Sequence, residues 1–189
     1  FIRESGALAD LRAPNGVYAV IGDHEYNAGP ERIMERLKQY GIRTMTNEFV
    51  DVTENLRLLA IDDPANEEGE VPEEDLRDAQ ESRGDEVMTV LLAHQPNIFK
   101  VANEYDVELT LSGHTHGGQI FPFNLAVRNS YPFLAGHYHR DGRHLYVSRG
   151  VGTWGPPIRF GTFSELVVLT LRRGETDNPE LDEKTRKLE

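Results

Sequence analysis

Residues 16–21, 56–61, 87–93 and 107–112 are short apolar runs, each rich in Val, Leu or Ile and each stopping at a polar loop. That is the pattern of strands buried inside a sheet. Segments with helical apolar spacing lie between several of them. Pro30 suits the first residue of a helix that runs to Tyr40 and is stopped by Gly41, with Ile33, Met34 and Leu37 as its apolar stripe. Pro72 opens another, whose acidic first turn of Glu73, Glu74 and Asp75 complements the helix dipole while Leu76 and Ala79 face inward. Pro96 opens a third, through Glu104. Strands alternating with helices predict an α/β fold. From Gly136 the texture changes to a hairpin, with Asp141-Gly142 as the turn between strands 136–140 and 143–148, and a final strand is expected over 165–171.

The 189 residues, 38% of them apolar, suit a single core. Residues 1–173 read as one unit, followed by a charged, frayed tail over 174–189 that is almost devoid of aromatics. Twenty basic residues against 32 acidic ones give a formal charge of -12 and no Lys/Arg stripe, which argues against nucleic acid as a partner. The carboxylates crowded into 62–85 lack the spacing of a calcium loop and read as a solvated loop and helix face. Cysteine is absent, so any metal must be held by His, carboxylate or amide oxygen. The lack of a long apolar run predicts a soluble chain, and a first residue other than Met leaves room for a missing upstream segment.

The ionisable residues collect where the strands end. Asp23-His24-Glu25 follows the first, His94 follows the third, and Ser112-Gly113-His114-Thr115-His116-Gly117-Gly118 follows the fourth. Loops beyond the carboxyl ends of strands in open α/β sheets converge on one crevice, and His-x-His between glycines lets two imidazoles and the backbone approach one ligand. His137, His139 and His144 fall in the hairpin, where alternation places histidines on a surface face and leaves one able to line the cleft.

Gly22-Asp23-His24-Glu25, then His94, then Gly113-His114-Thr115-His116 resemble three successive motifs of the calcineurin-like metallophosphoesterases: Gly-Asn-His-Glu/Asp, His, and Gly-His-x-His. The similarity extends through "LSGHTHGGQIFPF" and "YVSRGVGTWGPPIRF" to about Leu8 through Leu171, and it points to the branch that often carries membrane helices ahead of its catalytic domain. Two departures stand out. The family's earlier Asp-x-His and Gly-Asp-x-x-Asp motifs have no counterpart, so 1–173 looks like the carboxy-terminal part of a larger domain; and Asp23 stands where the family has Asn.

The resemblance implies a four-layer α/β/β/α sandwich lacking its first strands, whose exposed apolar faces would favour a dimer or low stability. It implies a phosphomonoesterase or phosphodiesterase with two divalent ions, Mn, Fe or Zn, and a metal-bound hydroxide as nucleophile. This chain, holding only part of the site, would bind one ion or be inactive alone. Carried over by position, Asp23, His94 and His114 would ligate one metal and His116 the other. His24 would contact the phosphate and protonate the leaving oxygen, with Glu25 orienting its ring. Asp23 in place of Asn adds negative charge, which would lower the electrophilicity of the site. Arg149 and Arg159 are candidates for phosphate binding at the cleft edge, and Trp154 for either an exposed binding ring or burial on the sheet. The substrate would be a phosphoester, with a lipid or nucleotide-sugar headgroup as options and membrane association through an upstream segment of the parent. The competing readings are a degenerate, non-catalytic metal-binding or interaction module and a metallo-β-lactamase-like hydrolase. The latter requires an acid and a His soon after His116, where Gly117-Gly118-Gln119 stands instead.

Overall fold

Four parallel strands, β4 (Leu56–Ile61), β5 (Met88–Ala93), β6 (Leu109–Ser112) and β8 (Arg143–Val147), form the centre of a six-stranded mixed sheet in a computed structural model that describes residues 6–62, 73–82, 84, 86–102 and 104–172. The full strand order is β3 (Glu48–Thr53), β4, β5, β6, β8, β7 (Gly136–Arg140), with antiparallel pairs at both ends. A second, two-stranded parallel sheet pairs β1 (Val17–Ala19) with β2 (Ile42–Thr44). Helices α1 (Gly6–Ala9), α2 (Asp23–Ala28), α3 (Pro30–Gln39), α4 (Glu73–Glu81), α5 (Phe99–Ala102) and α6 (Phe123–Ser130) complete the α/β arrangement, which is consistent with a metallophosphoesterase sandwich.

The alternation of strand side chains builds the core. Leu59, Ile61, Leu91 and Ala93 pack with Leu76 of α4 and with Ile98, Ala102 and Val107. Each fully buried Leu or Ile in this layer contributes about 1.5–3 kcal/mol by leaving water. A second cluster joins Phe99, Leu145 and Val147 to Phe133 and Tyr138, with edge-to-face rings at 5.6 Å (Phe99–Phe133) and 5.2 Å (Phe133–Tyr138). At the opposite side, the buried Arg57 guanidinium donates two bonds to Asp51 (2.7 and 3.0 Å) and one to Ser82 Oγ (2.8 Å), tying β3 and β4 to the end of α4. The bidentate geometry satisfies a charge that burial alone would make costly.

Strand register brings the ends of β5 and β6 together. Val90 pairs with Leu109 and Leu92 with Leu111, so the two strands end side by side, and the Gly113 N–H donates to the His94 carbonyl at 3.0 Å. Ser148 N–H donates to the Ser112 carbonyl in the same way, bringing the segment after β8 to this edge. Three loops therefore converge at one end of the sheet.

Several expectations need correction. The segment after the first strand is not a loop: Asp23 opens α2, whose two acidic residues in the first turn complement the helix dipole, and Glu25 Oε2 accepts from the Gly22 N–H at 3.1 Å. The third predicted helix divides into a single turn at Pro96–Ile98 and the short α5, ending at Ala102 rather than Glu104. Strands β2 and β3 and helix α6 were not anticipated. The final strand expected over 165–171 does not form: it pairs with neither sheet edge, and Leu166 and Val168 stand 83% and 86% exposed. Alternating apolar residues make a strand only when an edge is there to accept them. Large apolar side chains are also exposed at Phe123, Val151, Trp154, Phe160 and Phe163, and Trp154 is thus not buried against the sheet. Leu76 is buried as expected; the side chain of Ala79, the tail 174–189 and residues 63–72 of the acidic stretch lie outside what the structure describes. Among the described residues, no helix is long and apolar enough to cross a membrane.

Candidate metal centre

Asp23, on the first turn of α2, and His94 and His114, in the loops after β5 and β6, meet at one point, with ligand atoms that all lie within 4.8 Å of one another. Asp23 Oδ1 is 3.1 Å from His94 Nε2 and 3.7 Å from His114 Nδ1, and those two nitrogens are 3.0 Å apart. The rings meet edge to face at 4.9 Å. All three side chains are partly buried at the strand ends.

The backbone makes this approach possible at two places. A Cβ on Gly22 would lie 2.6 Å from the His94 ring, so the absence of a side chain there is what lets the imidazole lie against the entrance to α2. After β6 the chain turns tightly, with His114 and His116 both at positive φ (66° and 52°), followed by Gly117 and Gly118. Non-glycine residues rarely hold this conformation unless their surroundings fix it. Here Thr115, buried between the two histidines, donates its hydroxyl to the Leu134 carbonyl at 2.5 Å. A Cβ on Gly118 would strike Asn124 at 2.5 Å, which is how α6 closes over the turn.

Tyr131, just beyond α6, completes the orientation of His114: its hydroxyl is 2.7 Å from Nε2. With the Nε2 proton directed at the tyrosine oxygen, Nδ1 turns its lone pair toward His94 and Asp23, the arrangement in which metal-binding imidazoles are held. Burial, helped by His94, pushes the His114 pKa down to about 4, so the ring is neutral at pH 7. Burial works in the opposite direction on Asp23 and would raise its pKa, but His114, His24 and His94 outweigh it and hold the carboxyl below its ordinary value. The point therefore combines one anionic oxygen and two imidazoles.

His94 Nε2 faces both Asp23 Oδ1 and His114 Nδ1, and one ring proton cannot serve both partners in full. A divalent cation would satisfy all three. This donor set fits a borderline or hard metal ion, and Asp23, His94 and His114 are the residues that would hold it.

The remaining candidates occupy other positions. His24 is exposed on the first turn of α2, next to Asp23, while the Glu25 carboxylate is engaged with the Gly22 N–H. His116 lies outside the three-residue group; its carbonyl accepts from Arg159 Nη1 at 3.0 Å, and burial followed by Arg159 lowers its pKa. Arg159 also donates to the carbonyls of Arg149 (2.7 Å), Gly150 (3.2 Å) and Gly152. Arg149 pairs with Glu165 at 2.9 Å and lies over the Phe163 ring at 4.7 Å. Arg159 thus holds the 149–165 segment against the His114–Gly118 turn, while the Arg149 guanidinium ties the two ends of that segment together.

Two residues escaped the sequence reading. Tyr131 carried no motif signal, because its role depends on α6 folding back over the turn. Gln119 is buried and binds the Trp154 backbone at both ends, its Nε2 donating to the carbonyl and its Oε1 accepting from the N–H, each at 2.6 Å. Its place directly after the glycine pair was the available hint.

Comparison with known proteins finds metallophosphoesterases. The chain is 37% identical over 166 residues to an uncharacterized metallophosphoesterase of Helicobacter pylori, covering 87% of this chain and 45% of that protein. It is 32% identical over 174 residues to one of Aquifex aeolicus, covering 64% of it. A bovine transmembrane protein with a metallophosphoesterase domain is 35% identical over 180 residues, with 40% of its length covered. The chain thus spans less than two thirds of each of these relatives. No family model matches, and neither does any solved structure. Taken with the His and Asp motifs in order along the chain and their convergence at the strand ends, these similarities support the calcineurin-like metallophosphoesterase family, with the chain matching part of longer proteins.

Proposed function

We propose that this chain contributes part of the catalytic centre of a metal-dependent phosphoester hydrolase. The observation that carries the reading is the convergence of Asp23 Oδ1, His94 Nε2 and His114 Nδ1 from the start of α2 and the two loops after β5 and β6, with His114 neutral and its other nitrogen held by Tyr131. Divalent ions in the complete enzyme, two by family resemblance, would supply charge neutralisation at the phosphoryl oxygens and an activated water. Asp23, His94 and His114 would hold one of them. His116 would serve a second ion together with ligands outside this chain, and its carbonyl bond to Arg159 keeps the backbone of that turn fixed for the task.

His24, exposed beside Asp23, is the residue proposed to meet the substrate phosphate and to give a proton to the leaving oxygen. Glu25 acts on it through the helix: by accepting from the Gly22 N–H, its carboxylate fixes the first turn from which His24 projects. Arg149 and Arg159 shape the cleft edge from the 149–165 segment. The substrate class is a phosphomonoester or phosphodiester.

The test compares this chain with a longer parent chain in metal content, by elemental analysis, and in hydrolysis of bis(p-nitrophenyl) phosphate. The expected result is a hydrolytic parent holding about two metal ions, with loss of hydrolysis in its His94→Ala variant. A parent that binds no metal and hydrolyses nothing would replace this reading with the non-catalytic module.

A further inference from the structure

The β7–β8 hairpin, at the edge of the six-stranded sheet, carries three histidines on one face. His137 and His139 alternate on β7, and His144 of β8 pairs directly with His139. Their inward-facing neighbours, Tyr138 and Leu145, belong to the second core cluster, so the histidines project from the opposite face. His137 Nε2 and His144 Nδ1 share a hydrogen bond at 2.8 Å, with the rings stacked at 5.1 Å and nearly parallel. The His139 ring packs on His144 at 4.7 Å. Arg143, next in the chain to His144, is paired with Asp106 (2.6 Å) and Glu108 (3.6 Å), so its charge is compensated.

We propose that His137 and His144 form a second, independent metal site, a two-imidazole chelate for a late first-row divalent ion, best matched by copper(II). The two ring nitrogens are close enough, at 2.8 Å, for a small rotation of either ring to turn both toward one ion, and copper leads the affinity order of the divalent first-row ions for nitrogen ligands. The ion takes the place of the shared hydrogen bond, and the ring that had donated it carries its proton on its other nitrogen instead, so each neutral imidazole keeps one N–H. His139 holds the His144 ring from its other neighbour and is a positioning residue. Burial, with His139 adding to it, keeps both chelating rings below the ordinary histidine pKa of 6.5, so their lone pairs are available at neutral pH. No residue of the Asp23 group takes part.

The test is a Cu2+ titration followed by electron paramagnetic resonance, on the wild-type chain, on a His137→Gln/His144→Gln variant and on a His94→Ala/His114→Ala variant, with circular dichroism as the folding check. The expected result is that the His94→Ala/His114→Ala variant keeps a copper signal with splitting from two nitrogens, while the His137→Gln/His144→Gln variant loses the hairpin ion and keeps only the signal of the Asp23 group. His139→Gln should retain the two-nitrogen splitting with weaker binding. A folded His137→Gln/His144→Gln chain that binds as many copper ions as the wild type would overturn the proposal, as would a His94→Ala/His114→Ala chain that binds none.

Discussion

Replacing Gly22 with alanine should disconnect metal binding from folding. The added Cβ would lie 2.6 Å from the Cε1, Nδ1 and Nε2 atoms of His94, against an ordinary contact of 3.4–4 Å. The ring or the start of α2 must therefore move by about 0.8 Å or more, several times the roughly 0.2 Å tolerance of a metal–ligand distance. Displacing His94 breaks the 3.1 and 3.0 Å spacings to Asp23 and His114 at once. The backbone itself imposes no strain, since Gly22 has φ of -117°. Overpacking costs about 1–3 kcal/mol, and the smaller entropy of the unfolded alanine chain returns about 0.4–1 kcal/mol. The net loss is at most about 2.6 kcal/mol, a fall in Tm of no more than roughly 10 °C for a chain of this size. Metal affinity should fall by about tenfold or more. The assay is Mn2+ titration by calorimetry beside a thermal melt, with Gly152→Ala as the control, because a Cβ at Gly152 meets nothing within 4 Å. Wild-type Mn2+ affinity in a folded Gly22→Ala chain would refute the reasoning, since it would mean that His94 does not ligate from against Gly22.

Other perturbations separate the parts of the account. Tyr131→Phe removes only the hydroxyl at 2.7 Å from His114 Nε2 and should weaken metal binding by about 10–100-fold while leaving the fold intact, read by the same titration. Leu91→Ala empties a fully buried position of the main core and should cost about 2–5 kcal/mol in urea unfolding without a direct effect on the ligands. Burial alone would raise the Glu165 pKa, but the bonds from the Arg149 N–H and guanidinium hold it below its ordinary 4.5. The folded value is depressed, so the stabilisation is fully present above about pH 5 and is lost as pH falls through the folded pKa. The Tm difference between wild type and Glu165→Gln should accordingly be constant from about pH 6 to 8 and shrink on acidification below about pH 4.5.

The parts of the fold legible in the sequence are those whose signal is local. Buried parallel strands such as β4 and β5 are continuous apolar runs, and the Asp-Gly turn of β7–β8 sets its own register. The strand over 165–171 illustrates the limit: Leu166 and Val168 alternate as a strand would, but pairing is a property of an edge elsewhere in the molecule. Helix α2 was hidden because Asp23, His24 and Glu25 read as chemistry, although an acid at its third position was also a capping signal. Of the site, the motifs marked Asp23, His94 and His114, and the meeting of the two histidines stems from the register of β5 against β6. Tyr131 could not be found that way. Its contact exists only because Gly118 lets α6 lie across the turn.

Anomalous diffraction from crystals grown with Mn2+ decides whether Asp23, His94 and His114 hold one metal ion. The account predicts a peak within about 2.0–2.4 Å of Asp23 Oδ1, His94 Nε2 and His114 Nδ1 together. Fully occupied manganese elsewhere, with these three atoms still in mutual contact and no peak among them, would contradict it.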